Sequence, residues 1–227
     1  SPDGESGHVD FYDVSGSYLG RIDFTDIENI VVTCFTPESV ATTHFGPLAV
    51  GQLQVGDRIL TRDNAFQKII WIGRQTLTAA DLVVRPHLSP VRIEAGALGA
   101  GRPERTMTVS PQHRILFAGP RAELLFGETE VLVPAVHLVG RPGISRGRGS
   151  AVTYVHFMCA SHEIVMVDGC WSESYQPGDA TLAGLPDDQR RELLELFPAL
   201  SQPGASIHYP AARPTLRRAE SMVLFAA

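Results

Sequence analysis

Apolar and polar residues alternate over two short runs near the start of the chain, at 8–13 and 18–24. Alternation with a period of two is typical of a half-buried β-strand. Gly16 and Ser17 lie between the runs and suit a tight turn. The pattern therefore predicts a β-hairpin. The segment at 27–32, which ends in Ile-Val-Val, predicts a further strand after the hairpin.

Short apolar runs separated by turn residues then continue through the middle of the chain. The predicted strands lie at 39–42, 58–62, 66–73, 91–93, 153–159 and 162–167, with two strands around a turn at 105–117 and a strand followed by a helical turn at 131–139. Turns are predicted at 45–47 and 168–169, one helical turn at 78–82, and loops at 96–101 and 141–150. The second loop, rich in glycine and arginine, is expected to be mobile. The pattern predicts an all-β fold.

The period of the pattern changes after position 178. Residues 186–197 begin with proline, carry acids in the first turn and place apolar residues at Leu193, Leu194, Leu196 and Phe197. These are the signals of a helix that starts at Pro186 and is stopped by Pro198. A short C-terminal helix is therefore added to the β fold.

Composition restricts the class of protein. The chain has 227 residues, of which 44% are hydrophobic, and this suits one globular domain with appendages. A net charge of −6 argues against nucleic acid as a partner. No apolar run approaches the roughly 18–20 residues of a membrane-spanning helix. The start, Ser-Pro-Asp-Gly, shows no secretory signal peptide.

Three cysteines, Cys34, Cys159 and Cys170, have neither the pairing of a disulfide framework nor the spacing of a metal site. We therefore expect no metal and no cofactor. Cys159 and Cys170 are expected to be buried thiols. A second hypothesis is that Cys170 meets Cys34 and forms a redox lock on it.

Cys34 lies two residues after the strand predicted at 27–32, and a cysteine can attack the peptide bond that precedes it, here Thr33–Cys34. This N-to-S acyl shift needs a proton acceptor, a group that acts on the leaving nitrogen and stabilisation of the oxyanion. The predicted turn at 110–113 offers a hydroxyl, Ser110, and an imidazole, His113. From the residues alone, a structural turn and a buried core cysteine remain the alternatives.

Four motifs in order extend this observation: Cys-Phe-Thr-Pro at 34–37, Trp-Ile-Gly at 71–73, Ser-Pro-Gln-His at 110–113, and a closing segment from His162 through Gly169 to Glu-Ser at 173–174. With Gly-Asp-Arg-Ile-Leu-Thr at 56–61, they resemble the Hint domain, the self-processing module of hedgehog proteins and inteins. The resemblance is greatest to the bacterial hedgehog/intein type and covers about two-thirds of the chain.

The resemblance implies a horseshoe-like disc of two pseudo-twofold β-subdomains. It implies that Cys34 is the nucleophile, that His113 acts on the amide it breaks, and that Ser110 stands where the family more often has threonine. His162 is implied as a supporting residue or general base. His156 lies near a position where many members carry aspartate. The resemblance therefore does not decide which residue accepts the proton of the Cys34 thiol, and His156 and His162 are both candidates.

One departure from inteins narrows the expected reaction. Inteins end in His-Asn, but the segment at 169–175 contains no asparagine. The resemblance therefore implies N-terminal cleavage without splicing, with the thioester resolved by water or a small thiol, amine or alcohol. The expected organisation is the tail of an upstream β segment at 1–33, the Hint autoprocessing domain at 34–178, and a helix-containing extension at 179–227 packed on it.

The covalently linked upstream domain would be the substrate in cis, and a secreted or cell-surface bacterial parent fits this type. No glycine–aspartate repeat is present in residues 1–33, so no calcium site is expected. Two alternatives stay open: an inactive Hint-fold structural or interaction module, and a hydrolase that uses Cys34 and His113 on other proteins.

Overall fold

A computed structural model describes residues 7–12, 18–24, 33–147, 150–177, 182, 185–201 and 209–226. Over these residues the chain is mostly β, as predicted. The strands are β1 Gly7–Tyr12, β2 Tyr18–Phe24, β3 Val40–Thr43, β4 Gly46–Ala49, β5 Arg58–Leu60, β6 Phe66–Lys68, β7 Trp71–Leu77, β8 Val91–Ile93, β9 Met107–Val109, β10 Arg114–Ala118, β11 Glu130–Pro134, β12 Ile144–Arg146, β13 Val152–Met158, β14 Ile164–Val167 and β15 Cys170–Glu173. The helices are α1 Ala79–Val84, α2 Pro120–Phe126, α3 Asp187–Leu196 and α4 Arg218–Leu224.

The strands form curled antiparallel sheets. The largest sheet has the order β11-β10-β15-β14-β3-β5-β6, with β4 paired to β3. A second group runs β12-β8-β9, and β7 pairs with β13 beside it. Phe35 bridges both Val109 on β9 and Val155 on β13. This bridge places the segment around Cys34 at a seam between strands that are distant in sequence.

The N-terminal hairpin is formed as predicted, with β1 antiparallel to β2 and Val9 opposite Ile22. The predicted strand at 27–32 lies outside the described residues. A second predicted turn, between β14 and β15, has positive φ at both Asp168 (51°) and Gly169 (68°). Two central residues with positive φ define the turn that best matches the twist of an antiparallel pair.

Three local predictions were wrong. The strand predicted at 66–73 is split, because β6 ends at Lys68 and β7 begins at Trp71. The loop predicted at 141–150 contains β12, where Ile144 is buried opposite Ile93 on β8. One apolar side chain that reaches the core was enough to add a strand to this polar stretch. The turn predicted at 45–47 instead starts β4.

Helices cover the sheets at several points. Thr78 and Asp81 form a capping box that starts α1, at the predicted helical turn. Helix α2 begins at a proline and ends before a left-handed Gly127, and it was not predicted; nor was α4. Helix α3 matches the prediction within a residue at each end. No helix among the described residues is long and apolar enough to cross a membrane.

The core has two parts. The larger cluster lies within the curled sheet and includes Phe35, Val109 and Phe157. The smaller cluster gathers Cys34, Trp71 and Tyr175 with Leu193 of α3. Leu193 is fully buried. Helix α3 therefore packs on the same cluster as Cys34.

Candidate active site

The backbone on the C-terminal side of Cys34 is held rigidly. The Phe35 N–H donates to the Val155 carbonyl at 2.9 Å, and the Val155 N–H donates to the Phe35 carbonyl at 2.9 Å. The Phe35 side chain stacks on Phe157, with ring centroids 5.7 Å apart. Cys34 itself is 3% exposed. Both the peptide bond before it and its thiol therefore have fixed positions in the interior.

Ser110 makes one hydrogen bond to each of the two peptide groups that flank the α-carbon of Cys34. The Cys34 N–H donates to Ser110 Oγ at 2.9 Å. In return, the Ser110 N–H donates to the Cys34 carbonyl at 2.9 Å. The turn itself is closed by the His113 N–H, which donates to the Ser110 carbonyl at 3.1 Å. The hydroxyl thus lies on the nitrogen that would leave if this peptide bond were broken.

His156 lies on the other side of Cys34. It projects from β13, and its Nδ1 is 3.4 Å from Cys34 Sγ. The residue opposite His156 on β7 is Gly73. A Cβ at Gly73 would lie only 2.1 Å from His156 Nε2. The absence of a side chain at Gly73 is therefore what allows the imidazole to lie across the neighbouring strand.

Burial sets the charge of this pair. It raises the pKa of the Cys34 thiol, an increase that a hydrogen bond with the Ser110 side chain opposes. Burial also lowers the pKa of His156 from 6.5 to about 4, although the nearby side-chain amide of Gln189 raises it. At pH 7 the pair is therefore a neutral thiol beside a neutral imidazole. A neutral imidazole is the form that can accept the thiol proton.

His113 is fully buried, with its ring against Phe35 at a centroid distance of 4.2 Å. Among the described residues, neither of its ring nitrogens has a hydrogen-bond partner. Burial lowers its pKa to about 4, although the charge of Glu173 raises it. The structure thus places His113 behind the Ser110 turn and gives it no hydrogen bond to the Thr33–Cys34 amide.

His162 belongs to a separate polar cluster. Its Nε2 is 3.2 Å from Glu173 Oε2, and its Nδ1 accepts the Ala212 N–H at 2.9 Å. Glu173 also accepts the backbone N–H of Arg114 at 3.0 Å and its guanidinium at 3.1 Å. Burial would raise the pKa of Glu173, but Arg114 and His162 lower it below its usual value. Among the predicted site residues, Ser110 and His156 contact Cys34. His162 instead contacts Glu173, which forms an ion pair with Arg114 and whose charge raises the pKa of His113.

The other two cysteines are buried free thiols. Burial raises the pKa of Cys159 to about 12, and it raises that of Cys170 to about 12. Cys170 packs in the larger hydrophobic cluster and Cys34 in the smaller one. No group of three His, Cys, Asp or Glu side chains in the described part of the chain could hold a metal ion.

Two residues of this site were missed by the sequence interpretation. Gly73 ends the Trp-Ile-Gly motif, but only the register of β7 against β13 shows why glycine is needed there. Tyr175 packs on both His156 and Trp71, with ring centroids 5.4 and 5.6 Å away. Neither role has a signal in the local sequence, because each depends on a partner far along the chain.

A Ser110→Ala substitution tests the hydrogen bond between the Ser110 hydroxyl and the Cys34 amide. We expect the variant to fold and to lose about 1 kcal/mol or slightly more, because the buried N–H is left without its acceptor. If Thr33–Cys34 is the bond that breaks, the variant should cleave about 10²-fold more slowly, because the leaving nitrogen loses its proton donor. Ser110→Thr, which keeps the hydroxyl, is the matched control. Urea unfolding and a gel-based cleavage time course measure the two effects. Equal cleavage rates in Ser110→Ala and the unmodified chain would contradict a role of the Ser110 hydroxyl at the Thr33–Cys34 bond.

Comparison with known proteins agrees with this architecture. The family profile described as "Hint domain" matches residues 33–179. Among solved structures, the chain is similar to a bacterial intein-like domain from Clostridium thermocellum, with a TM-score of 0.43 and 10% identity over 64% of this chain and 99% of that one. It is also similar to a DnaB intein from Synechocystis sp. PCC 6803, with a TM-score of 0.41 and 8% identity over 63% of this chain and 98% of that one. No curated protein matches. Since the family profile covers well over half of its length, the chain belongs to the Hint domain family and has its fold.

Proposed function

We propose that the chain cleaves its own Thr33–Cys34 peptide bond through a thioester, and that it does so without splicing. One observation carries the proposal. The amide nitrogen of this bond is hydrogen-bonded to Ser110 Oγ at 2.9 Å, while the thiol of the same residue lies 3.4 Å from His156 Nδ1. A nucleophile, a proton acceptor and a hydroxyl on the leaving nitrogen thus converge on one peptide bond.

The steps balance with these groups alone. His156 Nδ1 takes the thiol proton, and Sγ bonds to the Thr33 carbonyl carbon. The carbon–nitrogen bond of the tetrahedral intermediate then breaks. Ser110 gives its hydroxyl proton to the leaving nitrogen, which its oxygen already contacts, and then regains the proton that His156 took from the thiol. The products are a Thr33 thioester on Sγ and a free amine on Cys34.

His156 is the proton acceptor in this proposal, and its position distinguishes it from the other candidates. It contacts Sγ, whereas His162 lies against Glu173. His113 keeps a supporting role in which its neutral, buried ring polarises the Ser110 turn. The thioester would then be resolved by water or by a small thiol, amine or alcohol, which frees the upstream segment. The segment at 169–175 has no asparagine, so no second cleavage is proposed.

A His156→Gln substitution should lower the cleavage rate by about 10²–10⁴-fold, the usual contribution of general acid–base catalysis. Glutamine keeps the size and polarity of the side chain but does not accept a proton near neutral pH. His162→Gln is the matched control, and we expect it to reduce stability more than the rate per folded molecule. The measurement is a dithiothreitol-induced time course of chain mass, corrected for the folded fraction. A larger reduction of the cleavage rate in His162→Gln than in His156→Gln would overturn the assignment of His156 as the proton acceptor.

The function itself is tested on the unmodified full chain. Incubation with dithiothreitol should convert it into two fragments, the second beginning with Cys34. A chain whose mass stays constant with and without added thiol would support the alternative, an inactive Hint-fold module. Burial of Cys34 favours that alternative to a degree, because it raises the pKa of the thiol and lowers the thiolate fraction.

A further inference from the structure

Helix α3 places one polar side chain, that of Gln189, beside the candidate site. Gln189 lies in its first turn and is half-buried. Its Nε2 donates to the Arg74 carbonyl at 2.6 Å. Its Oε1 lies 2.5 Å from the point where a Cβ on Gly73 would sit, and His156 Nε2 lies 2.1 Å from the same point. The amide oxygen of Gln189 and the outer nitrogen of His156 therefore share the small space left by Gly73.

The orientation of the Gln189 amide follows from its other contact. A backbone carbonyl can only accept a hydrogen bond, so the NH₂ group must face Arg74 and the oxygen must face His156. Among the described residues, neither Gln189 Oε1 nor His156 Nε2 meets full hydrogen-bond geometry with any group. The proximity of Gln189 nevertheless raises the pKa of His156 against burial. Hydrogen bonds in a resting catalytic site often tighten only in the reacting state.

Two further contacts fix the helix over this site. Glu192 Oε2 accepts the Trp71 indole N–H at 3.2 Å. Leu193 is fully buried in the cluster that contains Cys34. Positions three and four apart lie on one helix face, so Gln189, Glu192 and Leu193 all face the site. The contacts of Glu192 and Leu193 therefore keep Gln189 beside His156.

We propose that Gln189 is a positioning residue for self-cleavage, which orients His156 by accepting a hydrogen bond from its Nε2. This inference rests on the proposed function of the Cys34 site. With the ring proton on Nε2, Nδ1 presents its lone pair to Cys34 Sγ and can take the thiol proton. The hydrogen bond that one ring nitrogen makes decides which of the two carries the proton. The catalytic cysteine and histidine, Cys34 and His156, are then joined by a third residue, Gln189. This residue lies in the extension beyond the part of the chain that matches the Hint domain.

The surroundings of His156 leave this role to Gln189. Arg74 on β7 lowers the pKa of His156, and Cys34 contacts Nδ1 rather than Nε2. Trp71 and Tyr175 pack against the ring faces, at centroid distances of 5.1 and 5.4 Å. Among these neighbours, Gln189 is the one that brings a hydrogen-bond acceptor to the Nε2 side.

The test uses the full chain and two variants at this position. Gln189→Met keeps the length and helix propensity of the side chain but removes the amide. We expect it to cleave about tenfold more slowly than the unmodified chain. Gln189→Glu restores an acceptor with a negative charge, so it should recover part of the rate and raise the pKa of His156. Glu195→Gln, on an exposed position of the same helix, is the matched control and should change neither quantity.

A second readout is independent of cleavage. In a Cys34→Ala background, nitrogen-15 NMR of His156 should show the Nε2–H tautomer at pH 7, and Gln189→Met should shift the ring toward the Nδ1–H form. A tautomer that is unchanged in Gln189→Met would overturn the proposal, whatever happens to the rate. If the tautomer responds but the unmodified chain never cleaves, the positioning contact stands and the proposed function fails. Normal cleavage in Gln189→Met would overturn the positioning role while the function stands.

Discussion

Cys34→Ala should abolish release of residues 1–33 under every condition, with and without dithiothreitol or hydroxylamine. The variant removes the atom that bonds to the Thr33 carbonyl but leaves the Ser110 hydrogen bond to the Cys34 amide available. Without the thiol, no thioester can form at Thr33, and the peptide bond is left to uncatalysed hydrolysis. Intact-mass measurement over days is the assay.

The chain offers its own controls for this result. Cys159→Ala and Cys170→Ala also remove buried thiols, so they match the volume change and the loss of packing. Both should lose stability by a similar amount and still cleave. Cleavage that persists in Cys34→Ala, or that disappears equally in all three variants, would show that the nucleophile is misassigned. Cleavage lost only in Cys170→Ala would instead implicate that residue in the chemistry.

Acid should destabilise this fold well above the pH at which most carboxylates titrate. Burial lowers the pKa of both His113 and His156 from 6.5 to about 4. Between these values the unfolded chain binds more protons than the folded one, so the free energy of unfolding falls as the pH falls. Each histidine contributes a loss of about 3 kcal/mol across this window, at about 1.4 kcal/mol per pH unit. The stability of the folded state is complete only above pH 6.5.

Urea unfolding at several pH values between 7 and 4 measures this loss. His113→Gln and His156→Gln should each flatten the dependence, and the double variant should remove most of it. Glu173 acts in a lower window, because its folded pKa is depressed and its stabilisation is lost only as the pH falls below 4.5. A free energy of unfolding that stays constant from pH 7 to pH 4 would contradict the buried, neutral state of the two rings.

The sequence was sufficient for the fold class and for the first contacts of the site. Alternating apolar residues indicated the strands, and ordered motifs indicated Cys34 and the Ser110 turn. Local pattern was insufficient where a long-range partner decides the outcome. Strand β12 lies in a stretch rich in glycine and arginine, yet its Ile144 pairs opposite Ile93 in the core.

The arrangement of the histidines shows the same limit. Ser110 and His113 were both expected at the scissile amide; Ser110 makes a hydrogen bond to its nitrogen, and the His113 ring packs on Phe35. His156 was one of several candidates by resemblance, and its contact with Cys34 depends on an opposing Gly73. Gln189 was visible only as part of a helix. Its place beside His156 comes from the docking of α3, which no local sequence signal describes.

Trapping the thioester tests the central claim most directly. Hydroxylamine added to the full chain should release a fragment that ends in a Thr33 hydroxamate, with a second fragment that starts with the free amine of Cys34. Tandem mass spectrometry of the first fragment places the hydroxamate on one residue. The account predicts Thr33 and no other position. A fragment that ends at a different residue, or a chain that hydroxylamine leaves intact while folded, would contradict it.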